Sequence, residues 1–112
     1  GLVAAVVTPM DAKGELNLEL VPRVVDHLEK DGITGIYIAG STGEGMSLTD
    51  EERRAVAEAY VGVAKGRMKT FVQVGHNSLK ASAELAGHAE AIGDGPSADL
   101  LWDQVFRRRK FV

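Results

Sequence analysis

Apolar runs alternate with helical apolar stripes along the chain, and this pattern predicts three strand–helix pairs. Residues 2–8 form a valine-rich run that ends at Pro9, typical of a strand buried on both faces of a parallel sheet. Residues 33–39 and 70–74 form two further apolar runs, each followed by helical spacing. The order β-α-β-α-β-α predicts an α/β fold with a parallel sheet and right-handed crossovers.

The polar residues before each stripe predict where the helices begin. Asn17 is the expected N-cap of the first helix, and Ser78 that of the third. Thr49 and Glu52 have the spacing of a capping box at the start of the second helix. The predicted inward residues are Leu20, Val21, Val24, Val25 and Leu28 in the first helix, Val56, Ala57, Tyr60, Val61 and Ala64 in the second, and Leu79, Ala83, Leu85, Ala86, Ala89 and Ile92 in the third.

The loop after the second predicted strand is the strongest candidate for chemistry. Residues 40–44 read Gly-Ser-Thr-Gly-Glu, so two glycines bracket the hydroxyls of Ser41 and Thr42. Parallel α/β folds bind ligands at the carboxyl ends of their strands, where glycines allow close backbone approach. Hydroxyls and free amides suit a carboxylate or a phosphate. The competing interpretation is a turn shaped by Gly40 and Gly43, with the hydroxyls capping locally.

The chain resembles the pyruvate-dependent class I aldolase family of dihydrodipicolinate synthase and N-acetylneuraminate lyase. Residues 1–9 resemble its opening strand, and residues 32–37 with the Gly-Ser-Thr-Gly-Glu loop resemble its second strand and the loop after it. Residues 48–53 resemble the start of its second helix and residues 72–78 its third strand. The loop sequence, with Tyr37 before it, leans towards the N-acetylneuraminate lyase branch.

The resemblance implies a partial (β/α)8 TIM barrel of about three βα units over residues 1–93. Residues 94–112 form a tail without a family counterpart, and we expect a truncated or frameshifted product of a longer gene, since a whole barrel needs about 250 residues. Arg107–Arg109 and Lys110 give the tail a basic cluster. That cluster reads either as a solvated end or as a nucleic-acid or membrane-surface patch.

The resemblance also implies Schiff-base chemistry on pyruvate or a sialic-acid-like keto acid, with C–C bond cleavage or formation and no cofactor. In that family a lysine on a later strand forms the Schiff base, a tyrosine on the preceding strand moves protons, and the Ser-Thr pair holds the carboxylate. Only the last role maps here, onto Ser41 and Thr42, with Gly40, Gly43 and Glu44 shaping the loop. Because the lysine and tyrosine strands have no counterpart, we expect no lyase activity from this chain alone.

The remaining candidate residues have weaker patterns. Thr8 ends the first strand, and His76 and Asn77 follow the third, so all three could line the site or only shape its loops. His27 and His88 are predicted surface residues on helices, and the histidine spacing does not fit zinc. The sequence places Lys69 just before the third strand and puts no lysine inside an apolar strand. The six lysines are Lys13, Lys30, Lys65, Lys69, Lys80 and Lys110. Tyr37 and Tyr60 read as packing residues.

Net charge, cysteine content and hydropathy limit the kinds of partner and the class of protein that the sequence allows. The net charge of −3 predicts no nucleic-acid partner, the absence of cysteine excludes disulfides, and no apolar run reaches the roughly 20 residues of a membrane span. We therefore expect a cytoplasmic location. One alternative function is a non-catalytic binding or interaction module that retains the carboxylate-binding loop, or that associates with other chains through an exposed sheet edge. Another is an independent small α/β domain with Trp102 and Phe106 in a closed core.

Overall fold

The computed structural model describes residues 2–40, 42–76 and 78–93, and it confirms the predicted α/β alternation. Helices and strands alternate along the described chain, with a short 3-10 turn before the first helix and another before the second. The strands are β1 (Leu2–Ala5), β2 (Ile33–Ile38) and β3 (Lys69–Val72). The helices are α1 (Val21–Lys30), α2 (Asp50–Ala64) and α3 (Leu79–Ile92).

The strands form one parallel sheet in the order β1-β2-β3. Val3 pairs with Gly35, and Gly35 pairs with Lys69, so these three residues share one row across the sheet. β1 and β3 are therefore the two edges of the described sheet, and β2 is its centre. The carboxyl ends of all three strands lie at the same edge, as the predicted topology requires.

The helix starts agree with the sequence at two of three positions. The capping box at α2 is present: the Thr49 amide donates to Glu52 Oε1 at 2.9 Å, and the Glu52 amide donates to Thr49 Oγ1 at 3.0 Å. Ser78 Oγ caps α3 by accepting from the Ala81 amide at 3.2 Å.

The prediction that Asn17 caps the first α-helix is wrong. A 3-10 turn, Leu18–Leu20, separates Asn17 from α1, and the Asn17 side chain makes no capping hydrogen bond. The backbone explains this, because the Asn17 amide donates to the Pro9 carbonyl at 2.8 Å and ties the segment to the end of the first apolar run. α1 then begins at Val21, with proline in its first turn, where proline is well tolerated.

One face of the sheet packs against the helices and forms the core. Ile36 and Ile38 of β2 are fully buried, and so are Val21 and Val25 of α1. Every predicted inward residue of α2 is buried, which confirms the stripe through that helix. The predicted stripes begin too early in the other two helices, since Leu20 and Leu79 are exposed. Leu20 lies in the 3-10 turn before α1, and Leu79 is the first residue of α3.

The opposite face of the sheet carries apolar side chains that the described residues leave uncovered. Val3 is 55% exposed and Val7 is 52% exposed, while Tyr37 and Phe71 are half-buried. The prediction that the first strand is buried on both faces is therefore wrong for the described chain. Its physical reason is that β1 is an edge strand, and the helices pack on the other face only.

Candidate functional site

The carboxyl ends of the strands bring together the three loops that the sequence singles out. The backbone stays in register slightly past each strand, because the Val6 amide donates to the Tyr37 carbonyl at 3.0 Å and the Gln73 amide to the Ile38 carbonyl at 2.9 Å. Thr8, the loop that follows Ile38, and residues 73–76 therefore leave the sheet side by side. This shared edge is the candidate site, defined by residues 8, 40–45 and 73–77. Two of its positions, Ser41 and Asn77, lie outside the described residues.

The loop after β2 departs from the strand through an unusual backbone conformation. Ala39 has φ 57° and Glu44 has φ 55°, both in the left-handed region that favours glycine. The Gly45 amide then donates to the Gly40 carbonyl at 3.0 Å and closes the loop. Residues in this region commonly cost on the order of 1 kcal/mol each and persist where surrounding contacts enforce them, often at functional sites.

Glycine is required at three places in this loop because neighbouring atoms leave no room for a Cβ. At Gly40 a Cβ would overlap the Tyr37 ring, and at Gly43 it would stand 2.9 Å from the Val6 carbonyl oxygen. At Gly45 it would overlap the Ala39 carbonyl, which is backbone and cannot move aside. Gly45 was missed from the sequence; its position one residue beyond the Gly-Ser-Thr-Gly-Glu motif was the available signal.

Thr8 ties the end of the first apolar run to the loop after β2. Its Oγ1 donates to the Gly43 carbonyl at 2.5 Å, across 35 residues of sequence. The hydroxyl proton is therefore engaged, whereas the oxygen keeps lone pairs that can accept another bond. Thr42 is exposed at the top of the loop, and the Ser41 prediction falls outside the described residues.

The loop after β3 holds His76 through both ring nitrogens. Nε2 lies 2.9 Å from Asp50 Oδ1, and Nδ1 accepts from the Ser78 amide at 2.9 Å. Because Nδ1 is the acceptor, the neutral ring carries its proton on Nε2, facing the carboxylate. The imidazole thus joins the loop to the first residue of α2. Asn77, the neighbouring candidate, lies outside the described residues.

Three buried polar side chains beneath the loops were not predicted as part of the site: Arg53, Tyr60 and Ser82, whose Oγ donates to the Val74 carbonyl at 2.5 Å. Arg53 is 3% exposed and donates from Nη1 to the Gly75 carbonyl and from Nη2 to the Gln73 carbonyl, both at 2.7 Å. Burial lowers the pKa of Arg53 from its ordinary value, while Asp50 and Tyr37 oppose that change. Its only signal in the sequence was a charge at a position of α2 that faces the core.

Tyr60 is the second such residue, and the prediction that it packs in the core is confirmed. Its side chain is fully buried, and its hydroxyl donates to the Val7 carbonyl at 2.6 Å. Burial raises the pKa of Tyr60 to about 12. Burial likewise raises the pKa of Tyr37, which is half-buried and lies against Gly40. Both phenols therefore stay neutral at pH 7.

The structure corrects the assignment of one lysine. Lys69 is the first residue of β3, not the residue before the strand, and it sits in the row with Val3 and Gly35 on the open face. It stands at the amino end of β3, the opposite end from the candidate site. The described lysines are all exposed, namely Lys13, Lys30, Lys65, Lys69 and Lys80. Lys110 lies outside the described residues, as does the rest of the tail.

The other two histidines lie away from the site. The side chain of His27 is 76% exposed, as predicted, with Nε2 3.3 Å from Asp31. His88 is less exposed than a free surface residue, because its side chain is 19% exposed and Nε2 lies 2.8 Å from Glu58 Oε1 at the contact between α2 and α3. In residues 2–40, 42–76 and 78–93 no three His, Asp or Glu side chains cluster as a metal site would require. None of the described helices is long and apolar enough to cross a membrane.

Comparisons with known proteins agree with this geometry. Residues 1–97 match the profile of the dihydrodipicolinate synthetase family. The chain is 47% identical over 95 residues to N-acetylneuraminate lyase of Homo sapiens, covering 83% of this chain and 30% of that protein. The N-acetylneuraminate lyase of Danio rerio is 47% identical over 100 residues, which is 87% of this chain and 33% of the relative. The chain thus spans about a third of the length of these relatives.

Solved structures give the same result for the fold. N-acetylneuraminate lyase from Proteus mirabilis superposes with a TM-score of 0.79 at 39% identity, covering 82% of this chain and 31% of that one. Dihydrodipicolinate synthase from Aquifex aeolicus superposes with a TM-score of 0.78 at 32% identity, covering 83% and 31%. The three βα units correspond to the N-terminal portion of these TIM-barrel structures. On sequence and fold together, the chain belongs to the dihydrodipicolinate synthetase family.

Proposed function

We propose that this chain is the N-terminal part of a Schiff-base-forming keto-acid lyase or synthase, similar to N-acetylneuraminate lyase, and that it supplies the loop that binds the substrate carboxylate. One observation carries the proposal. The loop after β2 is built on three glycines with no room for a Cβ and is tied to Thr8. Such a loop places amides and hydroxyls close to a ligand at the carboxyl ends of parallel strands.

In this proposal Ser41 and Thr42 bind the carboxylate, while Gly40, Gly43 and Glu44 shape the loop. Thr8 lines the site through the free lone pairs of Oγ1. His76 and Asn77 border it on the side of β3, where the bonds of the imidazole to Asp50 and the Ser78 amide favour a loop-shaping role. Fixing the carboxylate orients the keto carbon towards an attacking amine, and small hydroxyls do so without adding a competing base.

Two relatives support a keto-acid ligand. A dihydrodipicolinic acid synthase family protein from E. coli K12 and the dihydrodipicolinate synthase from Acinetobacter baumannii were both solved in complex with pyruvate. At 30% identity each, these structures also cover 83% of this chain. We assign the barrel-forming part to residues 1–93 and regard residues 94–112 as a tail without a counterpart.

The same proposal predicts that the chain alone has no lyase activity. The described lysines are all exposed, so none has the desolvated surroundings that activate an amine for attack on a bound keto acid. The test is borohydride trapping with labelled pyruvate, followed by intact mass. The expected result is an unmodified chain. A stable adduct on one lysine would overturn the proposed inactivity and identify an activated amine.

Carboxylate binding needs a separate test. We expect acetate and pyruvate to shift the amide NMR signals of residues 40–45. We expect Ser41→Ala with Thr42→Val to weaken that binding by at least about a hundredfold, since each of the two lost hydrogen bonds to a charged group costs about 1.5–3 kcal/mol. The matched control is Thr34→Val, an exposed threonine at the opposite end of β2. Equal affinity of the double variant and the control would contradict the assignment.

A second candidate function is a non-catalytic module that self-associates. The observation that favours it is the open face and edge of the sheet, where Leu2, Val3 and Val7 are each more than half exposed. Contiguous exposed apolar surface of this kind promotes association. Sedimentation of the chain against Val3→Lys would test it. A monomer for both at the same concentration would exclude this function.

A further inference from the structure

The turn that forms the candidate site leaves a gap in the sheet. In a parallel ladder the Gln73 carbonyl would accept from the amide two residues beyond Ile38, because the Gln73 amide already donates to Ile38. The chain instead turns away at Ala39, with φ 57°. The carbonyl at the end of β3 therefore needs a donor from elsewhere, since a buried unpaired carbonyl is costly.

Arg53 supplies that donor and a second one beside it. Nη2 donates to the Gln73 carbonyl and Nη1 to the Gly75 carbonyl, each at 2.7 Å. The planar guanidinium fork thus spans two alternate carbonyls, a geometry that the single ammonium of lysine cannot reproduce. Arg53 belongs to the first turns of α2, the helix that the β2 loop enters. The Arg53 side chain therefore connects α2, the helix that follows the β2 loop, to the backbone of the loop after β3.

The cost of placing Arg53 there indicates that its bonds matter. The side chain is 3% exposed, and Nε has no partner among the described residues. Its fork bonds go to neutral carbonyls, while the nearby carboxylate of Asp50 lies within hydrogen-bond distance of His76. An apolar side chain would fill this space without the desolvation of a charge. It would also leave both carbonyls without a donor.

We propose that Arg53 is a positioning residue that fixes the loop after β3 against the carboxylate-binding loop after β2. This inference rests on the proposed function, which supplies the ligand, a small carboxylate. Arg53 itself does not touch that ligand. Removing the fork leaves the Gln73 and Gly75 carbonyls without their donors. Ser82 Oγ still donates to the Val74 carbonyl, and His76 still contacts Asp50, so the segment stays attached but loses the bonds that join it to α2 at these two carbonyls. The neighbouring carboxylate-binding loop then samples geometries in which its hydroxyls and amides no longer converge.

The test compares Arg53→Lys with Arg54→Lys in the full chain. Both variants keep the charge, but Arg54 is half-buried on the same helix and pairs only loosely with Glu84, at 3.7 Å. We expect the 13C carbonyl signals of Gln73 and Gly75 to shift in Arg53→Lys alone. We expect its affinity for acetate to fall about tenfold, as for the loss of one charge-assisted hydrogen bond, and that of the control by less than about twofold.

The outcomes separate this inference from the proposed function. Unchanged carbonyl signals, or wild-type affinity in Arg53→Lys, would overturn the positioning role. If the wild-type chain binds neither acetate nor pyruvate, the proposed carboxylate site is wrong. The positioning role of Arg53 is then decided without ligand, by whether Arg53→Lys shifts the carbonyl signals of Gln73 and Gly75 and the amide signals of residues 40–45.

A measurement on the wild-type chain covers the case in which Arg53→Lys does not fold. The buried fork predicts slowly exchanging Nη protons for Arg53, resolved from those of the exposed arginines, with nuclear Overhauser contacts to residues 73–75. Rapid exchange and a single averaged guanidinium signal would overturn the proposal without any substitution.

Discussion

The two faces of the sheet have similar sequences but opposite environments. On one face Val6, Ile36 and Ile38 are buried under α1 and α2. On the other, Val3 and Val7 are half exposed, and Lys69 shares the row of Val3. The apolar pattern of a strand indicates which residues a fold can bury. Whether those residues are buried depends on which helices pack against each face of the sheet. The candidate site lies where both faces end, at the carboxyl edge of the strands.

The largest difference in stability is expected between alanine substitutions at two glycines, Gly45 in the loop after β2 and Gly35 on the open face. Gly45→Ala should lower the free energy of unfolding by about 3 kcal/mol, because the new Cβ overlaps the backbone carbonyl of Ala39. Gly35→Ala should change it by less than about 0.5 kcal/mol, since its Cβ meets the movable, exposed side chain of Val3 at 3.1 Å and alanine also suits a strand better than glycine. Urea denaturation measures both. Equal losses would show that the open face is packed in solution.

The next contrast uses two adjacent valines on opposite faces. Val6→Ala should cost about 2 kcal/mol, because its side chain is 3% exposed and removing two methyl groups leaves a cavity. Val7→Ala should cost under about 0.5 kcal/mol, because its side chain is 52% exposed. Thermal or urea unfolding of the pair gives the difference. A large loss at Val7 would indicate that another chain or segment covers it.

Alkaline pH tests the buried face through Tyr60, whereas Tyr37 on the open face adds a contribution of the same sign that Tyr60→Phe leaves in place. The pKa of Tyr60 is raised from 10.0 to about 12 in the folded chain, so the unfolded state releases its proton first as the pH rises. The stabilisation is complete below pH 10 and disappears as the pH passes 12, a change on the order of 2 kcal/mol. Tyr60→Phe should remove this pH dependence, although it lowers stability at neutral pH by leaving the Val7 carbonyl unpaired. A pH profile identical in both proteins would contradict the assignment.

The smallest expected change in the free energy of unfolding comes from the loop after β2, which lies at the edge where both faces of the sheet end. Glu44→Gly should raise the free energy of unfolding by about 0.5–1 kcal/mol, because glycine accepts φ 55° without strain. Glu44→Ala is the control, since alanine keeps the strained conformation and should give no gain. Stability measured by urea denaturation decides. A gain in both variants would assign the effect to the carboxylate instead of the backbone.

Local signals in the sequence were enough for most of the fold. The Thr49–Glu52 capping box involves residues three positions apart, and its two hydrogen bonds are present as predicted. The stripe through α2 was also correct, because it depends on helical spacing alone. Asn17 failed as a cap because a distant carbonyl, that of Pro9, fixes the backbone before the helix.

The supports of the candidate site could not be predicted, because their partners are remote in sequence. Arg53 binds carbonyls 20 and 22 residues away, and Tyr60 binds one 53 residues away. The need for glycine at position 45 arises from the left-handed turn at Ala39, which periodicity does not reveal. Lys69 was placed outside β3 because a charged residue breaks an apolar pattern, yet the open face of the sheet accommodates it.

The pairing of each strand with the one before it has a consequence for how the chain folds during synthesis. Leu2 pairs with Ile33 and Ile36 with Thr70, so each new pairing closes a loop of roughly thirty residues. The entropic cost of closing each loop is therefore similar. Each strand pair can form as soon as its second strand has been synthesised, because it needs no later part of the chain. We expect nascent chains on the ribosome to gain protease resistance in two steps, first when residues up to Ile38 have emerged and again after Val72. A single late step would instead show that the sheet forms only as a whole.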